Sequence, residues 1–131
     1  MKIYLAGPMR GIAAFNFPAF FAYAAALRAH GHDVFSPAER DNQRHGVDIS
    51  ADNDTGDEAL ASEQHGFNLR VALAEDLEYI CMHADAVALM PGWECSRGAR
   101  AEKATADALG LQIIYLGSLE VLEAWKPGCL E

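Results

Sequence analysis

The stretch from Asp85 to Ala106, D-A-V-A-L-M-P-G-W-E-C-S-R-G-A-R-A-E-K-A-T-A, decides the fold. The apolar run Ala84–Met90 around its start has the length and the β-leaning residues of a buried strand. Pro91 and Gly92 break that run. Ser96, Gly98 and Glu102 then lead an alanine-rich segment that reads as a helix to about Leu109, where Gly110 stops it. A strand, a glycine-containing turn and a helix start carrying a hydroxyl and a carboxylate form one half of a small-molecule site.

Working outward, the same alternation recurs. Lys2–Ala6 is a short apolar strand ended by Gly7-Pro8, with Met9, Arg10 and Gly11 in the loop beyond it. Asn16 is in position to cap the next helix, and Pro18 is tolerated in its first turn. Phe17, Phe20, Phe21, Ala24 and Leu27 mark its core face, and Gly31 terminates it. His32–Ser36 is a second strand closed by Pro37. A helix from Phe67 to about His83 carries the stripe Leu69, Leu73, Leu77 and Ile80, with Asp76 at the stripe's edge. Leu111–Leu116 is a further strand, and Ser118 caps a short helix to about Trp125.

Strands alternating with helices predict an α/β fold: one Rossmann-like or flavodoxin-like domain over residues 1–131, with a parallel sheet of four to five strands covered on both faces. Residues 41–65 show no period and are rich in Asp, Asn, Gly and Ser, so they read as an irregular insertion, either a surface excursion or a lid. Ligands of such sheets bind beyond the carboxyl ends of the strands. That rule gathers the Gly7–Gly11 loop, the Pro37 loop and the Pro91–Gly98 turn on one edge.

Composition narrows the function. The 131 residues are 51% hydrophobic and 22% charged, ordinary for one globular domain. The formal net charge is −9 and the ten basic residues are scattered, which argues against a nucleic acid polymer but not against a mononucleotide. No apolar run reaches the ~20 residues of a membrane helix and no leader pattern is evident, so a cytoplasmic protein without membrane attachment is expected. Cys81, Cys95 and Cys129 are odd in number with no C-x-x-C spacing, as expected for free thiols. Neither the histidines nor the Asp-rich insertion shows metal-ligand spacing, and no dinucleotide or triphosphate glycine loop is present. No metal or cofactor is expected.

Arg10 offers a planar fork of donors for phosphate or carboxylate, or is simply a solvated charge. Ser96 and Gly98 are either a plain helix cap or a helix start that holds an oxyanion. Glu102 sits between Ala99 and Ala106, small residues that suggest close packing on the sheet; it is either paired at the surface or a carboxylate put to use. Asp76 is the second carboxylate. Two carboxylates at one pocket permit acid–base and nucleophilic chemistry at a glycosidic carbon.

Taken together, K-I-Y-L-A-G-P-M-R-G at Lys2–Gly11, D-L-E-Y-I at Asp76–Ile80, A-D-A-V at Ala84–Val87 and S-R-G-A-R-A-E at Ser96–Glu102 resemble the nucleoside 2-deoxyribosyltransferase-like family, including its 2′-deoxynucleoside 5′-monophosphate N-glycosidases. The P-G-W-E-C-S-R-G-A variant also looks like phage and bacterial members of that superfamily. The resemblance implies that Glu102 is the nucleophile and that Asp76 positions or protonates the departing base. It implies further that Arg10, Ser96 and Gly98 hold a 5′-phosphate, while Tyr4, Gly7 and Pro8 line the base and sugar pocket. Gly11 belongs to the same loop, and Trp93 is expected to influence base preference. Family members usually form homodimers in which a neighbouring subunit completes the pocket. Hydrolysis, base exchange and mere binding of a nucleotide-derived ligand are the three functions this leaves, with hydrolysis preferred.

Overall fold

Ile3, Tyr4, Leu5 and Ala6 are all fully buried, so β1 (Lys2–Ala6) is covered on both faces. A central parallel strand requires that. The computed structural model describes residues 1–45 and 68–120. β2 (Asp33–Phe35) pairs with one side of β1, β3 (Ala86–Leu89) with the other, and β4 (Gln112–Tyr115) extends the sheet beyond β3. All three pairings are parallel, and the order is β2-β1-β3-β4. The chain is an α/β domain of the Rossmann-like or flavodoxin-like kind. Strand order reverses between β1 and β3, so the crevice at their carboxyl ends is the expected ligand position.

Strand periodicity divides the core. Ile3 and Leu5 of β1, with Ala86 and Ala88 of β3, face α1 (Phe17–Ala29) through Phe17, Phe20, Ala24 and Leu27. Tyr4, Ala6, Val87 and Leu89 face the opposite layer, which contains α3 (Leu69–Met82) and α4 (Arg97–Leu109). Asp85 joins the two central strands from their other end, its Oδ2 accepting the Lys2 N–H at 2.8 Å. Gly110 closes α4 in the left-handed region at φ 71°, as its position after the last apolar residue predicts.

Four expectations are corrected. Pro37 does not merely close β2: it opens α2 (Pro37–His45), which takes up the first residues of the stretch read as irregular. Proline at a first helical position has no N–H to lose, and Glu39 in the first turn suits the helix dipole. Two ion pairs hold α2 in place, Arg28–Glu39 to α1 at 2.6 Å and Arg40–Glu75 to α3 at 3.0 Å. The remainder of the insertion to residue 65, and the terminal helix beyond Glu120, lie outside the described residues.

Asn16 precedes α1 but its side chain caps nothing; Nδ2 donates to the Pro8 carbonyl at 3.0 Å instead. Ala14, Phe15 and Asn16 all have left-handed backbones, with φ of 53°, 53° and 60°. That costs roughly 1–2 kcal/mol per residue for an L side chain, and it carries the chain from the β1 loop back onto the sheet. The buried seam of α3 is Ala72, Asp76 and Ile80, whereas Leu69, Leu73 and Leu77 are only half-buried. The strands at Ala84–Met90, His32–Ser36 and Leu111–Leu116 are one or two residues shorter at each end than the apolar runs suggest.

Gly7 marks where β1 must leave the sheet. A Cβ there would meet Met90 Cβ and Sδ at 2.9 Å, and the Cβ cannot swing aside. Gly7→Ala should therefore cost about 1–3 kcal/mol in urea unfolding. Gly117→Ala, whose added carbon meets nothing within 4 Å, should leave stability within about 0.5 kcal/mol.

Candidate functional site

Two loops leave the sheet at the β1–β3 crevice. After β1, buried Gly7 leads into Met9 and Arg10, and Gly11 turns the chain with φ 80°. After β3, Gly92 at φ 88° and a 3-10 turn over Trp93–Cys95 deliver the chain to Ser96. Ser96 caps α4 by accepting the Ala99 N–H on Oγ at 3.2 Å. The next residue but one, Gly98, is helical without a packing reason to be glycine. A Cβ there would touch only Ser96 Oγ, at 3.9 Å. Glycine in a helix costs about 1 kcal/mol relative to alanine, so the bare backbone faces the crevice at some expense in stability.

One turn further along α4, Glu102 points inward and is 6% exposed. Its Oε2 accepts the Tyr4 hydroxyl at 2.5 Å. Tyr4 comes from the middle of β1 and is wholly buried, its ring stacked on Phe35 with Tyr79 behind. That aromatic stack fixes the direction of the hydroxyl. Asp76, 7% exposed on α3, lies near enough for its charge to act on both Tyr4 and Glu102. Two carboxylates from two helices thus meet one phenol from the central strand.

Burial pushes the Glu102 carboxyl well above the ordinary carboxylate range, and the negative charge of Asp76 pushes it further. The Tyr4 hydrogen bond works the other way, because a donor favours the ionised form, and Asp41 adds a smaller upward push. Burial, then Glu102 and Asp76, raise Tyr4 well above its ordinary value, so the phenol keeps its proton and remains a donor.

Around this pair is a pocket of about 80 Å³. Gly7, Arg10, Ser96 and Gly98 line it together with Asp76 and Glu102. Six of the residues singled out in the sequence are therefore brought to one place. A shallower depression of about 360 Å³ adjoins it through the shared Arg10 and Ser96, and Pro8, Ile12, Cys95 and Arg97 complete its lining.

The other expected site residues lie elsewhere. Tyr4 does not line the pocket; it stands behind Glu102. Pro8 borders the outer depression, and Gly11 shapes the loop without lining either hollow. Trp93 packs near Tyr115, at 6.1 Å between ring centroids, with the Lys103 ammonium 5.9 Å above its ring. Residues the sequence reading missed also line the pocket: Asp41 from α2, Phe15 from the strained turn, Phe17 from the start of α1, and Leu69 and Leu73 from α3. In the sequence the two leucines read as an ordinary apolar stripe; only their half-buried state in the fold shows that a pocket leaves them uncovered. Among the described residues no three or more His, Cys, Asp or Glu side chains converge as a metal site. No helix among them is long and apolar enough to cross a membrane.

Residues 1–115 match the family described as "Domain of unknown function (DUF4406)", and the chain belongs to that family. No curated protein matches the chain.

A raised carboxyl makes a prediction about stability. The folded state holds the Glu102 proton more tightly than the unfolded chain does. Stability is therefore lost as pH rises from the ordinary value of 4.5 through the higher folded one. Glu102→Gln keeps an acceptor for Tyr4 and removes the buried charge. It should melt several degrees higher than the wild type at pH 8, on the order of 1–4 kcal/mol, and the two should converge at pH 4.5. Equal melting temperatures at both pH values would show that Glu102 is not held in this state.

Proposed function

We propose that this member of the DUF4406 family is an N-glycosidase, hydrolysing the base–sugar bond of a 2′-deoxynucleoside 5′-monophosphate through a glycosyl ester on Glu102. The observation that carries the reading is two buried carboxylates, Glu102 held by Tyr4 and Asp76 beside it, in the same pocket as Arg10, Ser96 and Gly98. The ordered sequence resemblance supports it independently.

Two close carboxylates in a buried site favour holding one proton between them. The reactive arrangement has Glu102 ionised and Asp76 protonated. Glu102 Oε attacks C1′ as the C1′–N bond breaks, and the electron pair of that bond leaves with the base, which takes the Asp76 proton. Asp76, now ionised, removes a proton from water. The water oxygen bonds to C1′, the ester C1′–O bond breaks, and its electrons return to Glu102. The sum is deoxyribose 5-phosphate plus free base, with both carboxyl groups restored.

The transition state carries positive charge on the sugar, so a buried carboxylate stabilises it more than the neutral ground state. A deoxyribosyl carbon, lacking the electron-withdrawing 2′-hydroxyl, reaches that state most easily. The Tyr4 hydroxyl fixes the Glu102 oxygen and favours its ionised form.

The phosphate is assigned to Arg10 and the start of α4, where amides of the first helical turn and the guanidinium present donors. The adjoining depression leaves room for it to sit at the rim, away from the carboxylates. A homo-oligomer completing the pocket and a cytoplasmic setting belong to the same proposal. Base exchange uses the same intermediate with a second base in place of water.

Base release from deoxynucleoside monophosphates, followed with and without a free acceptor base, tests the reading. Glu102→Ala and Asp76→Asn should each lower kcat at least about 10³-fold. Release undiminished in Glu102→Ala excludes the covalent route, and product formation only with acceptor base identifies a transferase. Binding without turnover identifies a sensor.

The rate should need one ionised and one protonated carboxyl. Its alkaline limb, loss of the shared proton against the charge of the partner carboxylate, therefore lies above the usual carboxylate range, and rate is lost as pH rises through it. Tyr4→Phe removes the donor that favours ionised Glu102, so that limb should move up by about one pH unit. An unmoved limb would remove Tyr4 from the mechanism.

Gly98→Ala should raise stability by up to about 1 kcal/mol while raising KM for the monophosphate and leaving the free nucleoside unaffected. Equal effects on both substrates would place the phosphate elsewhere.

A further inference from the structure

Beside the pocket that holds the two carboxylates is a larger hollow that the proposed reaction barely uses, about 360 Å³ against about 80 Å³. Its lining carries two guanidinium groups, Arg10 and Arg97, and among the described residues no carboxylate. We infer that this outer hollow is a subsite for a second phosphate, so that the protein binds a nucleoside 5′-diphosphate more tightly than the monophosphate. The inference rests on the N-glycosidase reading for the nucleoside half of the ligand.

The two hollows meet at a defined place. Arg10 and Ser96 line both, Gly98, Asp76 and Glu102 line only the inner one, and Cys95 and Arg97 line only the outer. A ligand with its anomeric carbon at Glu102 and its first phosphate at Arg10 has therefore reached the junction. Whatever follows that phosphate enters the outer hollow. In a nucleoside diphosphate this is the terminal phosphate, and Arg97 is the cation on that side.

The first turn of α4 gathers positive charge against the usual rule. A helix start is the positive end of the dipole and favours Asp or Glu. Here the first turn holds Arg97 and Arg100 and no acidic residue. Arg97 makes no hydrogen bond or ion pair with a described residue, in a chain with 19 acidic residues to 10 basic. Backbone donors are in surplus too. The Arg100 N–H donates to the Ser96 carbonyl at 3.0 Å and the Ala99 N–H to Ser96 Oγ at 3.2 Å. The N–H groups of Arg97 and Gly98 have no acceptor among the described residues. One of these neighbours lines the outer hollow and the other the inner. Two phosphates joined through one bridging oxygen match that pair, and the Arg97 guanidinium adds a charge-assisted bond to the terminal one. The extra negative charge stays clear of Asp76 and Glu102, which do not line the outer hollow.

The test compares deoxynucleoside mono- and diphosphates of each base, bound without divalent cations to Glu102→Gln, which cannot form the glycosyl ester. For the base that binds best, the diphosphate should bind at least about tenfold more tightly than the monophosphate. Adding Arg97→Ala should bring that ratio to within about twofold of unity. Arg100→Ala, exposed on the same turn but lining neither hollow, should leave the ratio unchanged. Cys95 gives a second readout, because it lines the outer hollow while Cys81 is exposed on α3. Saturating diphosphate should slow alkylation of Cys95 more than saturating monophosphate does, and leave Cys81 unprotected. Equal affinities overturn the inference, as does equal protection of Cys95 by the two nucleotides. A ratio lowered as much by Arg100→Ala as by Arg97→Ala reduces the effect to general charge and overturns it too. Diphosphate preference without base release by the wild type keeps the second-phosphate subsite and sinks the glycosidase. Base release without that preference does the reverse, and failure of both nucleotides to bind overturns both.

Discussion

The hydrogen bond from Tyr4 to Glu102 is the contact on which the rest of the structure depends. It joins the middle of the central strand to the second turn of α4, and it does so with a carboxylate 6% exposed. Burying such a group is costly unless it is hydrogen-bonded. Tyr4 provides that bond only because its ring is fixed between the sheet and the Phe35–Tyr79 stack. The backbone of α4 must also come close enough to bring Glu102 within reach. Ala99 and Ala106, both fully buried and one turn to either side, permit that approach. A larger residue at either would lift the helix and open the bond.

The same requirement accounts for features that stability alone would not select. Gly98 forgoes helix propensity, three consecutive residues adopt left-handed backbones, and Asp41, Asp76 and Glu102 share one hollow in a chain of net charge −9. Each opposes folding, and all surround the same pocket. Local departures from the rules of good folding that gather in one place mark a site under a different constraint.

Much of this was legible in the residues themselves. The apolar run before Pro91 and the capped, glycine-stopped helix after Ser96 made a strand–turn–helix unit, and its repetition required a parallel sheet. The rule that ligands sit beyond strand ends then gathered Arg10, Ser96 and Gly98 on one edge, while Glu102 stood out through the small residues on either side of it and through the family resemblance. Tyr4 was not legible in the same way. In a strand buried on both faces, alternation does not say which layer a residue joins, and an apolar ring with a polar tip suits either a pocket wall or the interior. Asp41 was hidden for another reason. Its helix has few apolar residues and opens with a proline that follows a strand, so composition reads as loop; α1 and α3 hold it through ion pairs rather than a greasy stripe. Asn16 misled because a good capping residue is also a good left-handed one, and the backbone here takes the second use.

Charge along the pocket gives the arrangement its direction. An anionic substrate and a floor of carboxylates repel each other, and an overall charge of −9 adds to that repulsion. Under the glycosidase reading this opposition is useful rather than accidental. The phosphate meets Arg10 and the positive end of α4 at the rim, where water and the adjoining depression screen it from Glu102. Only the uncharged sugar and base reach the carboxylates, and the sugar gains positive charge only as its bond to the base breaks. Attraction between that charge and Glu102 is absent in the ground state and largest at the transition state, which is the condition for raising kcat rather than only lowering KM. A product monophosphate has lost the positive carbon and meets the repulsion again, so the field that speeds bond cleavage also favours release.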